Sequence, residues 1–287
     1  IYHPSAHVGN EVIIEHFDKK GKDVRAFLSL LGRDKRYLDR GQNKETPLTM
    51  AIKASEKVLE KTGLVATDLD LIIYTTQTPE TIVPSNALRL FDHLKGKCET
   101  AVYDLNGNCA GMTIALEQVS QYMKVNKRIQ KALIVGSDLL SLIAHEDDPL
   151  AYGCFGDGAV AMIIEQTEEE NVGYVDSLYH TNTVFAETMM FPAEGFTKGI
   201  RETGDLKNLI TIPIDGNAVL EPTYEMFETL LKRHNLKPSD VKYCLSQEIL
   251  NLQFLSVLER LLRLILMICL CMFSKKCGSV VRVWIIR

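Results

Sequence analysis

The 287-residue sequence predicts an α/β protein with a mostly parallel sheet covered by helices. Two observations carry that prediction. Stretches with apolar residues at helical spacing alternate with short β-rich runs, and one helix-turn-strand element occurs twice along the chain. The length admits one large domain or two packed halves.

Residues 45–62, ETPLTMAIKASEKVLEKT, form the first clear helix, with Pro47 at its start, Ile52, Val58 and Leu59 at helical spacing, and Gly63 just past its end. After a polar turn, LDLIIYTTQ at 69–77 is a short apolar run of the kind that forms a buried parallel strand. The alternation continues with a helix over 85–94, a strand at TAVYDL, a helix over 110–125, and strands at KALIVGSD and GAVAMIIEQ. Residues 221–247 repeat helix, polar turn and strand. At one constant offset Leu59 meets Leu231, Leu64 meets Leu236, Asp68 meets Asp240 and Leu69 meets Val241. Any two such units share apolar positions and an acidic turn residue, so chance and duplication both explain the match.

After Gln247 the texture changes. Residues 248–287 are rich in Leu, Ile, Cys and Arg and hold the chain's only tryptophan. Through Leu266 they read as one long helix, but a helix apolar nearly all round needs burial on every side, and little chain remains to bury it. The expectation is that this tail is not the native continuation, as a frameshift or altered ending would produce. Within it LILMICLCMF, at 264–273, is only ten residues long against the roughly 18 needed to span a bilayer, so it reads as a buried or misplaced helix rather than an anchor.

A formal charge of −5 with mixed signs gives no basic surface that argues for nucleic acid. The opening IYHPSAHVGNEVIIEHF lacks the pattern of a signal peptide, and a cytoplasmic location is the default expectation. Seven cysteines form an odd set without zinc-finger spacing, which points to reduced thiols and no structural metal.

One of them stands apart. YDLNGNCAGM, at 103–112, sets Cys109 between Gly107 and Gly111 where a strand gives way to a helix. At a helix N-terminus, backbone N–H groups and the dipole favour negative charge, so the setting favours the reactive thiolate and an oxyanion formed when it attacks a thioester. The two glycines remove side chains beside the sulfur and give the backbone room to turn. A lone cysteine also packs well as a small buried hydrophobe, and both readings stand on these residues alone.

Several motifs in order resemble the β-ketoacyl-acyl carrier protein synthase III family of the thiolase superfamily. YDLNGNCAGMTIAL resembles its acyl-accepting cysteine motif, and SQYMKVNKRIQKALIVGSDLLS the helix and strand that follow it. FGDGAVAMII is similar to its FGDGA segment, LLGRDKRYL to its glycine-and-arginine turn, and TTQTPETIVPSNA to the loop after its third strand. The resemblance covers roughly residues 2–247, lacks the family's first strand, and fails over the last forty residues.

It implies a duplicated αβαβα thiolase-like fold with an incomplete C-terminal half: residues 1–165 as the N-terminal half bearing the cysteine, 166–247 as a partial C-terminal half, and 248–287 as an unassigned tail. It implies a homodimer, acyl-CoA or acyl-carrier protein as substrate, acyl carrier protein as partner, and no permanently bound cofactor. The implied reaction is a decarboxylating Claisen condensation. Cys109 takes the acyl group as a thioester, and a carbanion equivalent from malonyl-acyl carrier protein then attacks it.

The chain departs from the family pattern in three places. CLSQE puts Ser246 where the family has the histidine that assists the second step, and a serine hydroxyl supplies neither the charge nor the shape of imidazole. The family asparagine and closing glycine-rich strand have no counterpart in the tail. Before the turn glycine Gly32, Ala26 and Leu30 occupy the places of a CoA-binding tryptophan and arginine. Arg36, after it, fits a common family arginine and is the candidate CoA contact, with a salt bridge as the plain alternative. His145 in AHEDDPL is the substitute histidine considered, and a solvated loop residue explains it better. His234 reads as a C-terminal helix cap, and Gly156, Asp157 and Gly158 read as a structural turn rather than a phosphate loop. Two other functions stay open beside condensation. One is a non-catalytic or defective homologue; the other is acyl transfer through Cys109 to an alcohol or amine.

Overall fold

The computed structural model describes residues 1–39, 44–169, 173–181, 183, 186–187, 189–193, 195–198, 210–211, 220–241 and 284–286. At the N-terminus β1 (His7–Gly9) pairs antiparallel with β2 (Lys35–Tyr37) around α1 (Asn10–Asp18) and α2 (Arg25–Leu31). The central elements follow as α3 (Pro47–Thr62), β3 (Leu71–Thr75), α4 (Asn86–Leu94), β4 (Ala101–Leu105), α5 (Gly111–Val125) and β5 (Lys131–Leu139). Two short helices, α6 (Leu140–Ile143) and α7 (Pro149–Cys154), lead into β6 (Asp157–Glu165).

The main sheet has the order β4-β3-β5-β6. β3 lies parallel to both β4 and β5, whereas β5 and β6 are antiparallel. The parallel pairs match the alternation of helix and strand. The antiparallel pair departs from it, because the short helices between β5 and β6 return the chain beside the strand it has just left.

Strand β3 shows why an unbroken apolar run was needed. Ile72 and Tyr74 pack with Leu48, Ala51 and Leu90 of α3 and α4 on one face. Leu71 and Ile73 pack with Ala115, Val119 and Met123 of α5 on the other. Every residue of the strand is therefore buried, and the layers run helix, sheet, helix. A separate cluster joins Ile13, Phe17, Leu28 and Leu31 to Ala151, Cys154 and Phe155.

Helix α3 starts as its sequence requires: Thr46 and Thr49 exchange backbone-to-side-chain hydrogen bonds of 3.1 and 2.8 Å with Pro47 between them. Helices α1 and α2 were not expected from sequence. Neither has a side-chain N-cap bond, and both depend on the apolar cluster they join.

Farther along are β7 (Tyr174–Ser177), β8 (Met189–Met190), α8 (Gly195–Lys198), β9 (Ile210–Thr211), α9 (Leu220–Arg233) and β10 (Trp284–Ile286). β8 pairs with β9 and β10 with β7, each antiparallel. Apart from β10, the unassigned tail at 248–287 lies outside the described residues, as does the strand expected after residue 241.

The repeated element matches bond for bond. Gly63 and Asn235 both have left-handed backbones, with φ of 69° and 52°. Their N–H groups reach Glu60 and Lys232 carbonyls at 3.2 and 3.3 Å, and the next residues, Leu64 and Leu236, donate to Leu59 and Leu231 at 3.1 and 2.9 Å. One residue on, Val65 and Lys237 donate to the carboxylates of Asp68 and Asp240 at 2.9 and 2.8 Å. Single 3-10 turns, Ala66–Asp68 and Pro238–Asp240, close both copies. Such agreement favours duplication over chance. Asp68→Ala and Asp240→Ala are each expected to cost about 1 kcal/mol, measured by urea unfolding, because each removes the same cap acceptor.

Candidate active site around Cys109

Cys109 lies in a single 3-10 turn, Asn108–Ala110, that connects β4 to α5. The turn forms because Asn106 accepts the Asn108 N–H at 3.1 Å while Ala110 N–H bonds the Gly107 carbonyl at 3.1 Å. The left-handed residue of the motif is Asn108, at φ 50°, rather than a flanking glycine. Gly111 matters for a different reason: a Cβ there would stand 3.1 Å from the Thr75 Cβ, a tight approach between the start of α5 and β3. Cys109 itself is half-buried.

Its sulfur receives a hydrogen bond from the Gln77 side-chain amide, at 3.7 Å. Gln77 belongs to the turn after β3, which ends against Asp138 at the end of β5. One Asp138 oxygen accepts Gln77 N–H at 2.7 Å, Thr78 N–H at 3.1 Å, and the Thr76 and Thr78 hydroxyls at 3.0 and 3.2 Å. Burial pushes the Asp138 carboxyl up to about 6, and these four donors only partly oppose it.

A folded carboxyl that holds its proton more tightly than the unfolded one, at about 3.9, weighs against folding above pH 6. That burden is relieved as pH falls through 6 toward 3.9. Asp138→Asn lacks the titration, so the stability of wild type relative to this variant should rise by ~2–3 kcal/mol between pH 7 and pH 4. Urea unfolding of both proteins at the two pH values tests it, and parallel pH profiles would be the contrary result.

Asp104, near the end of β4, accepts Asn86 N–H at 2.7 Å, Asn86 Nδ2 at 2.9 Å and Ala87 N–H at 2.6 Å. Fully buried Asn86 also bonds Glu80 N–H and the Thr81 carbonyl, at 3.1 and 2.9 Å. The strand leading to Cys109 is thereby fastened to the N-terminus of α4 and to the loop before it.

Of the other expected residues, Arg36, His145 and His234 have partners of their own. Arg36 is buried, 3% exposed, with Nε donating to the Gly153 carbonyl at 2.5 Å and Nη1 to Asn10 Oδ1. Burial lowers its pKa. Its recorded partners belong to the N-terminal cluster and α7, so this arginine is built into packing rather than displayed to solvent. Ser246 lies outside the described residues.

His145 is half-buried, and its Nδ1 accepts the Asp147 N–H at 3.1 Å. A ring nitrogen of His234 meets the Asp176 carboxylate of β7 at 3.1 Å, beside the Arg233–Asp176 ion pair at 3.2 Å, where a helix cap was expected. Asp157 accepts the Ser141 hydroxyl at 2.6 Å and Asp39 N–H at 2.8 Å, a structural use of the FGDG turn.

Sequence reading missed Gln77, Asp104 and Asp138. The available signal was an aspartate at or near the end of each of two otherwise apolar strands, since a buried carboxylate needs donors nearby. Among the described residues no group of three or more His, Cys, Asp or Glu side chains is arranged to hold a metal, and no helix is long and apolar enough to cross a membrane.

Residues 103–183 match the family model of 3-oxoacyl-(acyl-carrier-protein) synthase III. The β-ketoacyl-(acyl-carrier-protein) synthase III of Streptococcus sanguinis is 29% identical over 220 residues, covering 77% of this chain and 64% of that protein. The enzyme of the same name from Koribacter versatilis is 28% identical over 235 residues, covering 80% and 69%. That from Clostridium novyi is 34% identical over 168 residues, covering 58% and 49%. The chain thus spans about half to two thirds of the length of these relatives.

Among solved structures, 3-oxoacyl-(acyl carrier protein) synthase III of Pseudomonas aeruginosa PAO1 superimposes with a TM-score of 0.76 at 20% identity, over 97% of this chain and 82% of that one. The priming β-ketosynthase of the R1128 polyketide biosynthetic pathway gives 0.76 at 17% identity, over 97% and 81%. At these identities the structures bear on the fold, and they agree with the thiolase-like α/β architecture.

Proposed function

We propose that the chain is a member of the 3-oxoacyl-(acyl-carrier-protein) synthase III family of the thiolase superfamily, and that it is an acyltransferase whose Cys109 carries the acyl group. The observation that most supports this reading is the position of Cys109 in the turn between β4 and α5, with the Gln77 amide on its sulfur.

In the first half-reaction the thiolate attacks the carbonyl carbon of an acyl-CoA or acyl-carrier-protein thioester. The carbonyl electrons move to oxygen and return as the carrier thiolate leaves, and the product is an acyl thioester on Cys109. The positive end of α5 favours both the thiolate and the oxyanion. In the second, malonyl-acyl carrier protein loses carbon dioxide, and the resulting carbanion equivalent attacks the acyl-Cys109 carbonyl. The new carbon–carbon bond forms as the sulfur leaves with its electron pair. This reading places the protein in fatty-acid or polyketide initiation, as a cytoplasmic homodimer that meets acyl carrier protein and needs no resident cofactor. The two halves at 1–165 and 166–247 belong to the same reading.

Ser246, in place of the family histidine, favours a second reading in which the acyl group passes to an alcohol or amine without decarboxylation. Incubation with acyl-CoA and acyl-carrier-protein donors, followed by intact mass measurement, tests the shared first step. One acyl increment that is absent in Cys109→Ala supports it, and no increment with any donor leaves the non-catalytic homologue. Adding malonyl-acyl carrier protein, or an alcohol or amine, then separates the two acceptors.

A further inference from the structure

Beyond the nucleophile, a chain of contacts joins the sulfur to a carboxylate on another strand. The turn Thr76, Gln77, Thr78 is gathered onto one Asp138 oxygen through two backbone N–H groups and two hydroxyls, all within 3.2 Å. The Thr78 hydroxyl also accepts Leu139 N–H at 2.8 Å, which locks the turn to β5 from a second side. Gln77 is the one residue of the three whose side chain does not bond Asp138; it extends instead to Cys109 Sγ. A short turn held at both flanks fixes the backbone from which that side chain starts, so less backbone freedom is lost when the amide meets the sulfur.

We propose that Asp138 is a positioning residue that holds the Gln77 amide against Cys109, where the amide N–H stabilises the sulfur anion that attacks the acyl donor. The inference rests on the reading of Cys109 as acyl acceptor. A neutral donor favours a thiolate over a thiol, because the bond strengthens when its acceptor is charged. The residue opposite Asp138 on β6 is uncharged Gly158. On β3 its titratable neighbour is Tyr74, which also senses Asp104 and Glu80.

The sign of the effect separates positioning from direct electrostatics. Removing the Asp138 charge while leaving Gln77 in place would ease thiolate formation and lower the Cys109 midpoint. Releasing Gln77 raises it. The test is the rate at which iodoacetamide alkylates Cys109 in the full chain between about pH 5.5 and 9.5, followed on the Cys109 peptide by mass spectrometry. The midpoint reports the thiolate fraction separately from intrinsic nucleophilicity.

Gln77→Leu is expected to raise the midpoint by roughly 0.5–1 unit, a three- to tenfold loss of rate below it. Asp138→Asn should move it in the same direction, and the double variant no further than the larger single shift. An unmoved midpoint in Gln77→Leu, a lowered one in Asp138→Asn, or additive shifts would overturn the inference. If Asp138→Asn does not fold, Thr78→Val removes two anchors of the turn, the hydroxyl's bonds to Asp138 and to Leu139 N–H, and should also give a rise; no rise would overturn the inference equally. Alkylation needs no acyl donor. Shifted midpoints without acyl uptake would therefore sink the nucleophile reading and leave the positioning intact.

Discussion

Cys109→Ala is expected to fold as wild type does and to lose acyl transfer by at least about a thousandfold. The fold survives because the thiol is half-buried and lies outside the three-layer core, so its truncation leaves no large cavity. Chemistry fails because the thioester intermediate has no other attachment in the proposed mechanism. Cys109→Ser should fail almost as completely: a hydroxyl at ordinary pH is scarcely ionised, and one amide donor at 3.7 Å from the sulfur position does little for it. Single-turnover transfer from an acyl-CoA, with thermal unfolding as the folding control, checks both variants. Transfer within tenfold of wild type in Cys109→Ala would remove the nucleophile from the mechanism.

Asp104→Ala should be the most damaging single change to stability among the polar residues near the site, by ~3–5 kcal/mol. Its carboxylate serves Asn86 N–H, Asn86 Nδ2 and Ala87 N–H, all within 2.9 Å and at the start of α4. Alanine leaves those donors without their acceptor beside a fully buried asparagine, and also removes a negative charge from the positive end of a helix. Asp104→Asn keeps an acceptor oxygen and should recover about half the loss. Urea midpoints measure the cost, and hydrogen exchange should show amides of α4 opening first. A loss below about 1 kcal/mol would mean that water or another side chain takes over the role.

Features encoded within a dozen residues were the legible ones. The unbroken run LIIYT announces a strand buried on both faces, and Pro47 and Gly63 mark the ends of α3. The strand-turn-helix setting of Cys109 was legible for the same reason, since its turn is written in adjacent residues. Helices α1 and α2 were not, because their apolar faces make sense only against Ala151, Cys154 and Phe155, more than a hundred residues away.

The same distance hid the support of the site. Gln77 and Cys109 are 32 residues apart, and Gln77 and Asp138 are 61 apart, and no spacing rule links them. Arg36 is a second case of distant partners. Its chemistry suits a phosphate, but sequence could not tell that its guanidinium faces Gly153 and Asn10 inside the protein.

The twin turns after α3 and α9 also act as a record of tolerated change. The two turns differ at Gly63 and Asn235, Val65 and Lys237, and Ala66 and Pro238, while both use an aspartate acceptor, Asp68 and Asp240. Each copy therefore supplies conservative designs for the other. What the two turns share is a pattern of donors and acceptors, and side-chain identity differs around it.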